Sequence, residues 1–132
     1  MKFLVINSAL VLGALFTGPA HPAPHADVRE VFSKNLQDFA GKEGVVLEVT
    51  YPPGSVDEVH RHDAHAFVYV LEGSIVMQVK GGQSMTLRPG QSFYEGPNDV
   101  HIVGRNASDT EPARFVVFLL KKKGAPILTV VH

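Results

Sequence analysis

The stretch Gly54 to Gly73, GSVDEVHRHDAHAFVYVLEG, decides the fold. It sets His60 and His62 two residues apart, adds His65, and runs on into alternating apolar residues that close on Glu72-Gly73. In an extended strand, side chains at i and i+2 leave the same face, about 6–7 Å apart at Cα. Two imidazoles so placed can share one metal ion if another strand brings a further ligand. His101, in the only other histidine-bearing part of the middle of the chain, is the natural source. The leading expectation is a metal-centred β protein.

Working outward, a period of two extends on both sides. VVLEVTY puts Val45, Leu47, Val49 and Tyr51 on one face before Pro52-Pro53-Gly54 turns the chain. Glu72-Gly73, Gly81-Gly82 and Arg88-Pro89-Gly90 then separate short apolar runs, and a long β-rich run covers Ala113 to Lys121. Short strands with Gly and Pro turns at this spacing indicate an all-β sandwich or barrel. Ahead of them, DVREVFSKNLQDFAG places Val28, Val31, Phe32, Leu36 and Phe39 at helical spacing. Asp27 with Glu30 reads as a capping box and Gly41 as a terminator. The sequence therefore predicts a short N-terminal helix packed outside the barrel. Lys121-Lys122-Lys123 reads as a solvated strand end.

These residues resemble the cupin superfamily, small single-domain cupins of the type-2 kind in particular. That family carries a first motif of Gly, five residues, His-x-His, three or four residues, Glu, six residues, Gly. Gly54, His60, His62 and Gly73 fall in place. A second motif of Pro-x-Gly, two residues, His, three residues, Asn is matched more loosely by Pro97, His101 and Asn106 in FYEGPNDVHIVGRNAS, with one extra residue before the asparagine. The resemblance covers Val45 to Leu120 and implies a double-stranded β-helix, or jelly roll, with His60, His62 and His101 as metal ligands. It also exposes a departure. Where the family places its glutamate ligand, this chain has Ala66.

A fourth ligand must then come from His65, Glu95 or water. His65 lies on the opposite parity from His62, and its alternative role is proton transfer at the mouth of the site. Glu95 is either a replacement carboxylate or a surface acid. Asn106-Ala107-Ser108 reads either as a glycosylation sequon or as the structural turn that ends the second motif. Imidazole ligands suit iron, zinc, copper or nickel, with manganese also open, so only a divalent transition metal is implied. Three neutral histidines leave the ion its full charge and an open position, which suits gripping an oxygen-bearing substrate or activating dioxygen. A wall built from Phe67, Tyr69, Met77, Phe93 and Phe118, or their strand neighbours, favours a small aromatic or enol-type molecule. The expected activity is that of an oxidoreductase of dioxygenase type. A non-catalytic exported metal or ligand binder, and an isomerase or lyase, are the alternatives.

Composition narrows the rest. The chain has 132 residues, 45% of them hydrophobic, with 12 Lys plus Arg against 13 Asp plus Glu. That suits one domain with a real core and offers no basic surface for nucleic acid. There are no cysteines, so disulfides and thiolate metal sites are ruled out. After Met1-Lys2, the apolar run Phe3 to Phe16 and the tail TGPAHPAPHA read as a secretory signal peptide with its linker, residues 1–26. A single cupin domain, 27–132 with its barrel core at about 45–120, would then be secreted or periplasmic and free of the membrane. The expected partner is a small-molecule substrate, and a homodimer is left open.

Overall fold

The computed structural model describes residues 21–132, so the expected signal segment lies largely outside the described residues. Ten strands follow in chain order: β1 Asp27–Asn35, β2 Lys42–Tyr51, β3 His60–Arg61, β4 His65–Glu72, β5 Ile75–Val79, β6 Met85–Leu87, β7 Ser92–Glu95, β8 His101–Asn106, β9 Ala113–Lys122 and β10 Thr129–Val130. They form two five-stranded sheets, ordered β1-β2-β9-β4-β7 and β10-β3-β8-β5-β6. Every pairing is antiparallel. This is the all-β architecture that the alternation predicts, in the jelly-roll form that the cupin resemblance implies.

Alternation also builds the core. Val45, Leu47, Val49 and Tyr51 of β2 face inward, as do Ala66, Val68 and Val70 of β4 and Ala113, Phe115, Val117 and Leu119 of β9. The register sets Leu47 opposite Val117 and Val117 opposite Val68, so inward residues meet across three strands. Each fully buried Val, Leu or Phe contributes about 1.5–3 kcal/mol. Ile75, Met77 and Leu87 supply the opposing layer. The turn between β4 and β5 depends on Gly73. Its φ is +68°, and a Cβ there would lie 2.5 Å from the Pro112 carbonyl oxygen. No other residue fits that position.

The N-terminal helix is not found; residues 27–35 form β1. The edge of β2 offers a row of backbone groups, and Val28 and Val31 are β-branched, so tertiary pairing overrides the helical spacing. A bulge between Glu30 and Phe32 shifts the register. Val28 opposite Val49 therefore sits on the inner side, and Phe32 opposite Val46 on the outer side. The apolar period that mimics a helix face is divided between two faces of a strand. Gly41 ends a turn rather than a helix, with φ +73°.

The lysine run is also not uniformly solvated. Lys121 shares the inward parity of β9 and is buried, where its ammonium donates to Glu43 Oε1 and to the Ala125 carbonyl. Asn106 resolves toward the structural turn. Its buried amide nitrogen donates to the carbonyls of Tyr51, Pro52 and Glu111, and its Oδ1 accepts from the Ser108 amide.

Candidate metal centre

His60 and His101 are cross-strand partners on β3 and β8, and His62 lies just beyond β3. One ligating nitrogen from each of these three histidines lies within 4.8 Å of the others. Ring centroids are 4.9 Å apart for His60 and His62 and 4.8 Å for His60 and His101. The His60 Nδ1 lies 2.7 Å from the Glu58 carbonyl oxygen, and the His62 Nδ1 lies 2.7 Å from that of Ile127. A carbonyl only accepts, so both Nδ1 atoms carry the proton and both Nε2 atoms present lone pairs, that of His60 toward His101 Nδ1 at 3.3 Å. Backbone carbonyls commonly orient metal-binding histidines in this way.

Glu95 joins the cluster, and His65 does not. Glu95 is 2% exposed, the last residue of β7, and its Oε1 lies 3.3 Å from His101 Nδ1. Its Oε2 lies 3.9 Å from His62 Nε2. His65 points to the outer face of its sheet, where its Nδ1 lies 2.7 Å from the Tyr94 hydroxyl. It takes no part in the lining of the cavity described below.

Burial dominates the electrostatics of this cluster. Burial, with Asp99 and Asp57 adding to it, pushes the Glu95 carboxyl up to about 7. Burial, then the neighbouring His60, brings His101 down to about 4, and burial lowers His62 as well. The contact between Glu95 and His101 is therefore one of neutral groups near pH 6, not an ion pair. Glu95 Oε2 and His101 Nε2 are buried without a hydrogen-bond partner. Each such atom costs about 1–3 kcal/mol. Convergent nitrogens, a carboxylate and orphaned polar atoms in one place fit a divalent transition ion.

These groups form the polar end of a cavity of about 200 Å³ whose walls include Leu47, Val68, Met77, Phe115 and Val117. The apolar wall is thus built largely by strand neighbours of the expected residues. Phe67, Tyr69 and Phe118 lie on the outer face, exposed, because Val68 and Val117 hold the inward parity. Met77 does line the cavity, and Phe93 packs beside His101 with ring centroids 6.3 Å apart.

One pair in the cavity wall was not among the candidate site residues read from the sequence. The Tyr51 hydroxyl donates to Asp57 Oδ2, and both line the cavity. Burial raises both, Asp57 above the usual carboxylate range and Tyr51 far above the usual phenol, with the Asp57 charge adding to Tyr51. Gly104 makes room for them. A Cβ on Gly104 would lie 2.8 Å from Asp57 Oδ2, 3.0 Å from the Tyr51 hydroxyl and 3.0 Å from His101 Cε1. The available signals were the inward parity of Tyr51 and the place of Asp57 three residues before His60.

Comparison with known proteins agrees with this geometry. The cupin domain family matches residues 47–119. No curated protein matches the chain. Among solved structures, a Klebsiella pneumoniae protein with a double-stranded β-helix domain superposes with a TM-score of 0.64 at 19% identity, covering 89% of this chain and 91% of that one. The DMSP lyase DddQ from Ruegeria pomeroyi gives 0.58 at 18% identity over 67% of this chain, which spans only 43% of the lyase. An oxalate oxidase bound to the substrate analogue glycolate gives 0.60 at 20% identity, with 80% of this chain and 55% of that one covered. At these identities the likeness is one of fold. With both histidine motifs on paired strands of a jelly roll and the family matched over 73 of 132 residues, the chain belongs to the cupin domain family.

Proposed function

We propose that this protein is a metal-dependent cupin enzyme acting on a small oxygen-bearing organic molecule, with an oxidoreductase of dioxygenase type as the reaction class. His60, His62 and His101 would hold the ion, and Glu95 would supply the carboxylate that Ala66 does not. One observation carries this reading: Glu95 is buried against His62 and His101 of the histidine cluster with an oxygen left unpartnered. A bound divalent ion supplies Lewis-acid activation of a chelating oxygen substrate and, if redox-active, of dioxygen from solvent. The chain does the rest. The carbonyls of Glu58 and Ile127 hold the protons on His60 and His62 away from the site. The apolar walls exclude water and select a flat or compact molecule over a sugar polymer. Similar structures include an oxidase and a lyase, which supports an enzyme without choosing its class.

A second reading, isomerase or lyase, is favoured by the Tyr51–Asp57 pair. It places a proton-bearing group on the wall of the same cavity, as general acid–base chemistry needs. Metal analysis followed by oxygen uptake with a panel of enols and phenols separates these readings. Oxygen consumption that disappears in both His60→Ala and His62→Ala supports the first. Turnover without oxygen supports the second. Stoichiometric metal with no turnover leaves an exported binding protein, and no metal in the parent protein overturns all three.

A further inference from the structure

The cavity that holds the histidine cluster has an unbalanced set of charged walls. Among the described residues, no lysine or arginine lines it, whereas Asp57, Glu58 and Glu95 all do. Glu95 is buried, Asp57 half-buried and Glu58 exposed, so acids run from the floor of the cavity to its rim. The basic side chain outside the cluster is His25, also exposed at the rim, where it favours the ionised form of Asp57. Cations of the surrounding strands are engaged elsewhere. Arg61 lies 3.2 Å from Asp63, Arg114 pairs with Glu72, and Lys121 donates to Glu43.

Resting on the metal-centred reading above, we infer that the cavity takes a chelating molecule whose remaining body is uncharged or cationic, and refuses one that bears a further anion. An anion entering the cavity sheds its water and needs a fixed cation in return. A bound ion answers only the oxygens that meet it. A carboxylate or phosphate elsewhere on the molecule would face Leu47, Val49, Met77, Phe115 or an acid. Asp57 offers it nothing in either protonation state. Ionised, it repels the anion; protonated, it supplies no opposite charge, and its Oδ2 already accepts from Tyr51.

The effect is large enough to select substrates. In an effective dielectric of about 20, two unit charges roughly 6 Å apart change affinity on the order of 100-fold. An ammonium group gains where an anion loses, because the Asp57 and Glu58 carboxyls stand beside each other in the wall. The substrate class therefore narrows to neutral or amine-bearing enediols and catechols. Phosphate esters and polycarboxylates are set aside by charge, not by size.

Titration calorimetry on the full chain loaded with zinc, which has no redox chemistry, tests this with catechol, protocatechuate and dopamine. The three share one chelating head and differ in the charge of the remainder. Catechol and dopamine should each bind at least roughly 30-fold more tightly than protocatechuate. Dopamine carries the longest substituent, so exclusion by size would reject it first. Leu128 lines the cavity and is 39% exposed. Leu128→Arg should narrow the gap between catechol and protocatechuate at least about 5-fold, and Leu128→Gln should leave it. Val28→Lys, at another exposed lining position, replaces the arginine variant if that fails to fold. Less than stoichiometric zinc overturns the metal reading and this inference together. Stoichiometric zinc with protocatechuate bound as tightly as catechol, or with none of the three bound, overturns this inference alone. So does a cationic variant that leaves the gap unchanged.

Discussion

Ala66 and Glu95 are direct cross-strand partners on β4 and β7. Directly opposed residues on neighbouring strands share a face, with Cβ atoms about 4.5–5.5 Å apart. Glu95 therefore delivers a carboxylate to the face where a glutamate at position 66 would deliver one. The acid has moved one strand sideways.

This exchange predicts a compensating pair. Glu95→Ala is expected to weaken divalent metal binding about 10–100-fold, a loss typical of groups that support a metal site. Ala66→Glu alone adds a large side chain to a fully buried position facing Glu95, and should cost about 1–3 kcal/mol of stability without metal. Ala66→Glu combined with Glu95→Ala should recover most of the lost affinity. Competition titrations against a chelator give the answer. Full affinity in Glu95→Ala would remove Glu95 from the site.

The raised Glu95 carboxyl makes stability depend on pH in a stated direction. Its folded value of about 7 exceeds the ordinary 4.5, so the folded metal-free protein holds a proton that the unfolded chain releases. That contribution is complete below 4.5 and is lost as pH rises through 7. Glu95→Gln keeps the shape and cannot ionise. Its stability advantage over the metal-free parent, read by thermal unfolding, should grow from pH 4.5 to above 7, toward about 3 kcal/mol. An advantage independent of pH would show that the Glu95 carboxyl titrates in the fold as it does in the unfolded chain.

Gly104 predicts a steric effect. The methyl of Gly104→Ala would collide with Asp57 Oδ2 at 2.8 Å and crowd the Tyr51 hydroxyl and His101. A destabilisation of about 1–3 kcal/mol is expected, read as a fall of several degrees in scanning calorimetry. A melting temperature within about 1 °C of the parent would mean that the Tyr51–Asp57 pair yields freely.

Export is a separate expectation, carried by the apolar run after Lys2. N-terminal sequencing of the protein from its natural host should find a first residue near His21 or Asp27. Recovery of Met1 intact would rule out cleavage there.

The histidine cluster was legible where its members are close in sequence. The spacing of Gly54, His60, His62 and Gly73 placed the histidine pair on one strand segment, and the second motif brought His101. The weight of Glu95 was not legible. It is 29 positions from Ala66, and only the pairing of β4 with β7 makes them neighbours. Facing was ambiguous for a different reason. Phe67, Val68, Tyr69 and Val70 are all apolar, so alternation marks two faces without saying which is buried. At β1, one extra residue at Val31 broke the period of two and imitated a helix.

The hydrogen bond from His62 Nδ1 to the Ile127 carbonyl has a thermodynamic consequence. Ile127 leads into β10, whose Val130 pairs with His60. The segment 125–132 thus lies against two of the three clustered histidines. An ion that requires those imidazoles in place also requires this segment docked. Reciprocity of linked equilibria then makes the segment a reporter: whatever frees it loosens the ion by the same factor, and loading the ion clamps it.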